Sequence, residues 1–504
     1  MSETTKPAVA GEASIGDRLA PPLLSLRMFN DDQLEEIHQV SLEILERTGV
    51  RVQDEEARAV LADAGCSVSD GDLVKISSEV IDRILETASS RVDLYSRTGE
   101  LRLRLEGFNT YFGTGSDLPN TIDLITSERR PSVLGDVRAY AKLCDALPNL
   151  DFVMSMAQAS DVPVKTSDRR SFQAMTENTV KPIVYTAWDE VGLADIVRMA
   201  ELIVGGEQEL AKRPFMLCYL EPTSPLVHSD VVLRKMRLLT DKGLPFVYAP
   251  GPIEGASAPV TSAGSLAMAN AESLSGIAIA QLWRPGTPVV FGSGSGPMDM
   301  RSAVGTYASP EFMLHCQAMA ELAHHRYHLP VWGFSGCSDS KLPDIQAGIE
   351  SALWILWTAL SGANLVHDLG YLESGLTGSF QMVVVCDETV SFVRRLLSGI
   401  ELSDETLALE VIDEVGPGGD FLGSAHTMRH FRSIWMPALL DRNNHHGWVE
   451  AGKPNSIRTA RDRAVELIGA HQPDELPKSV VETLSSIVAE AEARAGVGRV
   501  ETAD

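Results

Sequence analysis

Eight times between residues 111 and 370, a short apolar run ends in small or polar residues and gives way to a helix-like segment. The runs are YFGTGSD (111–117), DFVMSMAQ (151–158), PIVYTAW (182–188), FMLCYLEP (215–222), PFVYAPGP (245–252), PVVFGSG (288–294), PVWGFSG (330–336) and ANLVHDLG (363–370). Segments such as LGDVRAYAKLCDAL and PDIQAGIESALWILWTALSG between them repeat apolar residues at helical spacing. Strand–helix alternation of this kind requires parallel strands joined by crossovers. Eight evenly spaced units suit closure into a (β/α)8 TIM barrel, here placed at residues 109–400. The competing architecture is an open doubly wound sheet. The GxGxxG turn that many such sheets carry does not follow the first run.

The flanks read differently. Residues 1–20 are rich in Ser, Thr, Ala and Gly and are expected to form a disordered tail. Residues 21–108 predict a small α+β region. FNDDQLEEIHQVSLEILERTG carries a capping box at Asn30 and Gln33 and stops at Gly49. DEEARAVLADAG and SSEVIDRILETA predict two further helices, and VDLYSRTGELRLRLEG predicts a hairpin. Residues 401–504 predict a helical extension packing on the barrel, ending in an amphipathic helix near 477–495.

A formal net charge of -26 argues against nucleic acid or an anionic membrane as partner. The six cysteines show no CxxC, and His324-His325 and His445-His446 lack a third ligand at metal spacing, so neither a disulfide framework nor a zinc site is expected. The N-terminus has no apolar core, and the longest apolar stretch, TSAGSLAMANAESLSGIAIAQLW, is rich in small residues and holds Glu272. A cytoplasmic protein is expected.

Barrel chemistry sits at the carboxyl ends of the strands. The polar residues there are Asp117, Gln158, Asp161, Glu221, Glu254, Asp299, Asp339, Lys341, His367, Asp368 and Glu373, with aromatic residues Phe112, Tyr185, Trp188, Tyr219, Tyr248, Phe291, Trp332, Phe334 and Tyr371 in the same strands or just past them. Acids and rings together favour a cationic ligand, because ring faces attract quaternary ammonium. For any single ring, packing within the barrel is the commoner duty, and loop acids are mostly solvated or cap helices. Asp344 after Pro343 and Ser309 before Pro310 read as helix starts. Glu221, between Leu220 and Pro222, has few structural duties to perform, and His367-Asp368 could position a proton. Cys337 has only Lys341 as a basic neighbour, a poor setting for a nucleophile.

Long strings identify a resemblance. RRPSVLGDVRAYAKLCDALPNL, APVTSAGSLAMANAESLSGIAIAQLWRPGTPVVFG, SDSKLPDIQAG, LSGANLVHDLGYLESGLTGS, ETLALEVIDEVGPGGDFL and AHTMRHFR look like the trimethylamine methyltransferase (MttB) family of corrinoid-dependent methyltransferases, over about residues 25–475. The chain departs from the family pattern at Asp420, where GPGG is otherwise followed by His. The resemblance implies a barrel whose upper face receives a cognate corrinoid protein, with Co(I) of that cobalamin-type group accepting a methyl from a substrate nitrogen. Only standard residues are present, so the chain resembles the branch without pyrrolysine, associated with quaternary amines such as glycine betaine, proline betaine and carnitine. A homo-oligomer is expected.

On that reading Glu221, His367 and Asp339 are the candidate catalytic groups. Trp332, Phe334, Tyr371, Trp188 and Tyr248 would surround the cation, and Lys341 and Arg301 would meet a substrate carboxylate. Gly333 and Gly336 would admit the corrinoid macrocycle, with Ser338, Asp368 and Glu373 beside it. Glycine betaine stands first among the substrates, ahead of proline betaine, carnitine and trimethylamine. A barrel that binds quaternary ammonium without turnover and a corrinoid-independent lyase or hydrolase remain alternatives.

Overall fold

The computed structural model describes residues 24–496; the expected tail at 1–20 lies outside them. All eight anticipated strands form. They are β1 (Tyr111–Phe112), β2 (152–153), β3 (Ile183–Tyr185), β4 (Met216–Leu220), β5 (Phe246–Tyr248), β6 (Val289–Phe291), β7 (Trp332–Phe334) and β8 (Leu365–His367). Every neighbouring pair is parallel. Gly113 pairs with Phe152, Val153 with Ile183 and Phe291 with Val331, while longer ladders join β3 to β4, β4 to β5, β5 to β6 and β7 to β8. Leu365 and Val366 of β8 then pair with Tyr111 and Phe112 of β1, which closes the ring. With no edge left, the open-sheet alternative is excluded.

A long helix follows each strand: α1 (Leu134–Ala146), α2 (Ser167–Asn178), α3 (Glu190–Val204), α4 (Asp230–Lys242), α5 (Ser262–Trp283), α6 (Pro310–Glu321), α7 (Ile345–Ser361) and α8 (Phe380–Leu397), with a short extra helix, Glu207–Lys212, after α3. Ser309 and Asp344 cap α6 and α7 by accepting from the backbone N–H groups of Phe312 and Ala347, as their positions before the helices required.

The small-residue stretch that approaches membrane length is α5, and its residues 265–281 are all buried. A helix apolar all round must be covered all round. Its inner face meets the barrel: a Cβ on Gly276 would lie 2.0 Å from the Tyr248 ring. Its outer face carries the N-terminal helices Asp31–Glu43 and Ser78–Thr87. Among the described residues, no helix is long and apolar enough to cross a membrane.

The N-terminal region also reaches the barrel by main-chain pairing. Val50–Val52 pairs in parallel with Val227–His228, in the loop after β4. At the other end of the chain, helix Ser456–Ala470 packs on α8 and α1, and helix Lys478–Arg494 packs on α2 and α3. Arg170 to Glu492 at 2.6 Å and Arg494 to Asp195 at 2.5 Å fasten the latter.

Candidate active site

Alternation along the strands decides which side chains enter the barrel. On β7, Trp332 and Phe334 point inward, while a Cβ on Gly333 would meet Ala363 and Thr358 on the outside. On β8, His367 points inward. Its ring stacks on Trp332 at 4.2 Å between centroids and lies 4.3 Å from Phe334. Tyr219 of β4 completes the cluster, 5.5 Å from Trp332 and 6.3 Å from His367. Trp332 is only 2% exposed, so it is the floor beneath His367 and not an open wall. The partly exposed rings above it are Tyr219 and Tyr307.

Two carboxylates stand at strand ends around this well, Glu221 after β4 and Asp117 after β1. Glu221 accepts from the Tyr219 hydroxyl at 3.2 Å. Asp117 accepts from Ser155 Oγ at 3.0 Å and Thr186 Oγ1 at 2.6 Å. Both residues reach solvent, yet protein crowds them on most sides. Loss of hydration raises the Asp117 carboxyl and lifts Glu221 to about 6, with the hydrogen bonds offsetting part of the rise. Glu272 of α5 is buried and pushed up to about 7; it accepts from Ser224 Oγ and the Leu226 N–H, so it holds the loop behind Glu221.

His367 Nδ1 lies 2.6 Å from Asp368 Oδ1. The angle is too poor for a hydrogen bond, so both ring nitrogens stay without a partner among the described residues. Asp117 and Asp368 both have left-handed backbone, with φ of 59° and 77°. Such conformations collect where a strand end must re-aim a side chain. Tyr371 donates to the Ser116 carbonyl at 2.6 Å and closes the wall between them. Beside the well, a cavity of about 340 Å³ runs between the ends of β1–β3 and α2. Asp117, Gln158, Asp168, Trp188 and Lys235 line it, Lys235 being the one Lys or Arg among the described residues that do so.

Several expected site residues stand elsewhere. Tyr248 points outward, and its hydroxyl lies 2.5 Å from His228 Nδ1, between β5 and α5. Gly333 packs outward as described. A Cβ on Gly336 would meet Leu369 and Cys386, so neither glycine faces the mouth. The Asp339 carboxylate accepts from the Tyr307 and Ala308 N–H groups and from Ser374 Oγ, which makes it a loop fastener. Lys341 is exposed and bonds the Asp339 carbonyl, not its side chain. Arg301 is 91% exposed and held by Asp299 on a hairpin. Ser338 is buried and donates to Glu350. Glu373 ties two rim hairpins through Arg129 at 2.7 Å and Thr377 at 2.6 Å. Cys337 is buried, and burial pushes its thiol well up, away from nucleophilic use. Tyr307 was not among the expected residues: a hairpin, Gly296–Asp299 with Val304–Gly305, separates it from β6.

The mouth itself is apolar at its edge. The loops after β1, β2, β3, β5, β6, β7 and β8 each present a large exposed apolar side chain, among them Ile125, Val164, Trp188, Val260, Met300 and Leu342. A closed barrel with an aromatic well and titratable carboxylates at the carboxyl ends of its strands has the architecture of a (β/α)8-barrel enzyme.

The comparisons give the family. The chain matches the family model described as trimethylamine methyltransferase (MTTB) over residues 4–496, and it belongs to that family of methyltransferases. It is 32% identical to the trimethylamine methyltransferase MttB of Desulfitobacterium hafniense over 476 residues, covering 94% of this chain and 95% of that one. It is 29% identical to a glycine betaine methyltransferase of the same species, covering 92% and 96%. The fold is similar to the crystal structure of the Methanosarcina barkeri monomethylamine methyltransferase, with a TM-score of 0.52, 12% identity and 88% of each chain covered.

Proposed function

We propose that this chain moves a methyl group from a quaternary amine, glycine betaine first among them, to Co(I) of a corrinoid carried by a separate protein. The observation that carries this reading is the aromatic well with its two solvent-reaching acids. Ring faces hold a quaternary ammonium without a formal charge against it. The C–N pair leaves with the nitrogen as a neutral tertiary amine, and the methyl carbon bonds to cobalt using the electron pair of Co(I). The chain therefore needs no nucleophile or proton donor of its own. Its tasks are to orient one N-methyl toward the mouth and to exclude water. A site of neutral rings favours the transition state, in which the cation loses its charge, whereas a carboxylate against the nitrogen would favour the ground state. Glu221 and Asp117 are accordingly read as attracting the cation from the wall, and His367, over Trp332, as facing the reacting methyl. The ring of apolar side chains on seven loops supports docking of the corrinoid protein over the well. The macrocycle would meet that rim and not Gly333 or Gly336. A betaine carboxylate would point to Lys235 in the neighbouring cavity, since Lys341 and Arg301 are turned to solvent.

The test mixes the protein with a reduced Co(I) corrinoid protein and glycine betaine, proline betaine, carnitine, choline or trimethylamine, and follows cobalt absorbance. Methylation with a quaternary amine is expected. Methylation from trimethylamine alone would overturn the substrate class. Binding alone on the same panel, without methyl transfer to active Co(I), would support the non-catalytic barrel.

A pH dependence follows from Glu221. Below about 6 its carboxyl is neutral in the empty site, and above it the site gains a negative charge. Affinity for the cation should therefore rise about tenfold as pH climbs through 6, with release of a proton on binding below that pH. Glu221→Gln should flatten this step. A calorimetric titration at pH 5 and 7.5 checks it, and an unchanged step in the variant would remove Glu221 from the cation's surroundings.

A further inference from the structure

After α8 the chain leaves the barrel wall as an arm, residues 401–459, in which no described residue is buried. The first three helices of the arm, Asp404–Leu407, Leu409–Val415 and Ala425–His430, have four, seven and six residues. Helices this short do not stand alone in water. A short segment without a core is commonly held by a cross-link or a metal instead. Here the first and third helices meet on one residue. Glu405 Oε1 accepts from Arg429 at 2.8 Å and from His430 Nε2 at 3.0 Å, and the Glu405 main-chain carbonyl accepts from His426 Nε2 at 3.1 Å.

His426 and His430 stand four apart on one helix, so they share a face. Their ring centroids are 4.4 Å apart. Glu405 reaches the same point from the other helix, and one donor atom from each of the three lies within 4.8 Å of the other two. A tetrahedral ion with bonds of about 2.0–2.1 Å sets its ligand atoms about 3.3–3.4 Å apart. The 3.0 Å between His430 Nε2 and Glu405 Oε1 is already close to that edge. Both side chains are partly open to solvent, which gives an ion a way in and lets the donors turn onto it.

We infer that Glu405, His426 and His430 form a binding site for one divalent transition cation of the zinc class, with water in the fourth position, and that the ion staples the first and third helices of the arm. Two imidazoles and one carboxylate suit Zn²⁺ over Mg²⁺ or Ca²⁺, which take oxygen donors throughout. Zinc replaces the proton between His430 Nε2 and Glu405 Oε1, and that proton moves to Nδ1 of the same ring. The net charge of -26 draws cations toward the chain. Arg429 acts in both directions: its guanidinium holds the Glu405 carboxylate in place, and its charge opposes the ion. Neither His324-His325 nor His445-His446 has this helical spacing. The third ligand comes from a separate helix, which is why spacing along the chain conceals the site.

The test takes the full untagged chain, strips it with a chelator and titrates it with Zn²⁺ in a calorimeter. One Zn²⁺ per chain is expected, undisturbed by a large excess of Mg²⁺ or Ca²⁺. His426→Ala and His430→Ala should each raise the Zn²⁺ dissociation constant about 100-fold or more, since even an outer partner of a metal ligand is worth about 10–100-fold. Arg429→Gln should lower it about tenfold by removing the opposing charge; a cluster that serves only as an ion pair would show no such gain. His446→Ala, on a separate helix of the arm, should change nothing. Two readouts on the unaltered chain do not depend on a variant folding. Co²⁺ in place of Zn²⁺ should give the intense visible absorbance of a tetrahedral site, and amides of 404–430 should exchange more slowly once zinc is bound. Absence of stoichiometric Zn²⁺ binding overturns the inference, as does binding that both histidine variants leave intact, or the pale spectrum of hydrated Co²⁺. Zn²⁺ displaced equally well by Mg²⁺ also overturns it, since that marks diffuse attraction to an acidic surface only.

Discussion

Trp332→Ala is expected to cost the fold about 3–5 kcal/mol and to take substrate binding with it. Trp332 is almost fully buried at the centre of the barrel, where it touches the ring clusters of β2, β4 and β8 through Phe152, Tyr219 and His367. Removing the indole leaves a cavity under His367, so that ring loses its floor and its orientation. Two measurements separate the effects. Chemical denaturation reports the stability loss. Affinity for a quaternary ammonium, measured well below the unfolding midpoint, reports the well. Trp332→Phe keeps an aromatic floor and should recover most of both. If the alanine variant binds and turns over normally, the central ring cluster has no part in the site.

Gly115→Ala is expected to lower turnover by about 100-fold while leaving the fold intact. A Cβ at this position would lie 2.2 Å from both Asp368 Oδ1 and the Tyr371 hydroxyl. Neither can stay in place. Tyr371 is held by the Ser116 carbonyl and Asp368 by its own left-handed backbone, so the shift passes into the His367 side of the well. Displacements near 1 Å at a reacting centre cost rates of this order. Gly115 sits at a strand end where a loop can relax, so thermal unfolding should move little. An unchanged rate would show that the Asp368–Tyr371 corner takes no part in turnover.

The barrel was legible in the sequence because each unit carries its own periodicity, and the closing pair β8–β1 needs only that the count reach eight. Facing was less legible. Trp332, Phe334 and His367 enter the barrel as inward positions, while Tyr248, also an aromatic residue at the carboxyl end of a strand, turns out to α5. A strand of three residues gives alternation but not its phase; that is set by the neighbouring ladder. The loop after β7 misled for another reason. Asp339, Ser338 and Lys341 look like chemistry in one dimension, yet Asp339 is satisfied by backbone N–H groups of the loop after β6. Tyr307 escaped notice because a hairpin displaces it from its strand.

The sharing of α5 has a consequence for the order in which the chain can mature on the ribosome. The helices at 31–43 and 78–87 are made first, but the surface they cover is not synthesised until residue 283. Strand Val50–Val52 likewise waits for Val227 and His228 to arrive before its parallel edge is filled. The N-terminal helices and strand described above must therefore persist with an open edge and an uncovered apolar face while more than half the barrel emerges, the kind of delay that calls for holding by chaperones. A nascent chain halted before α5 should be cut readily by protease in its N-terminal region, and one halted after α6 should resist.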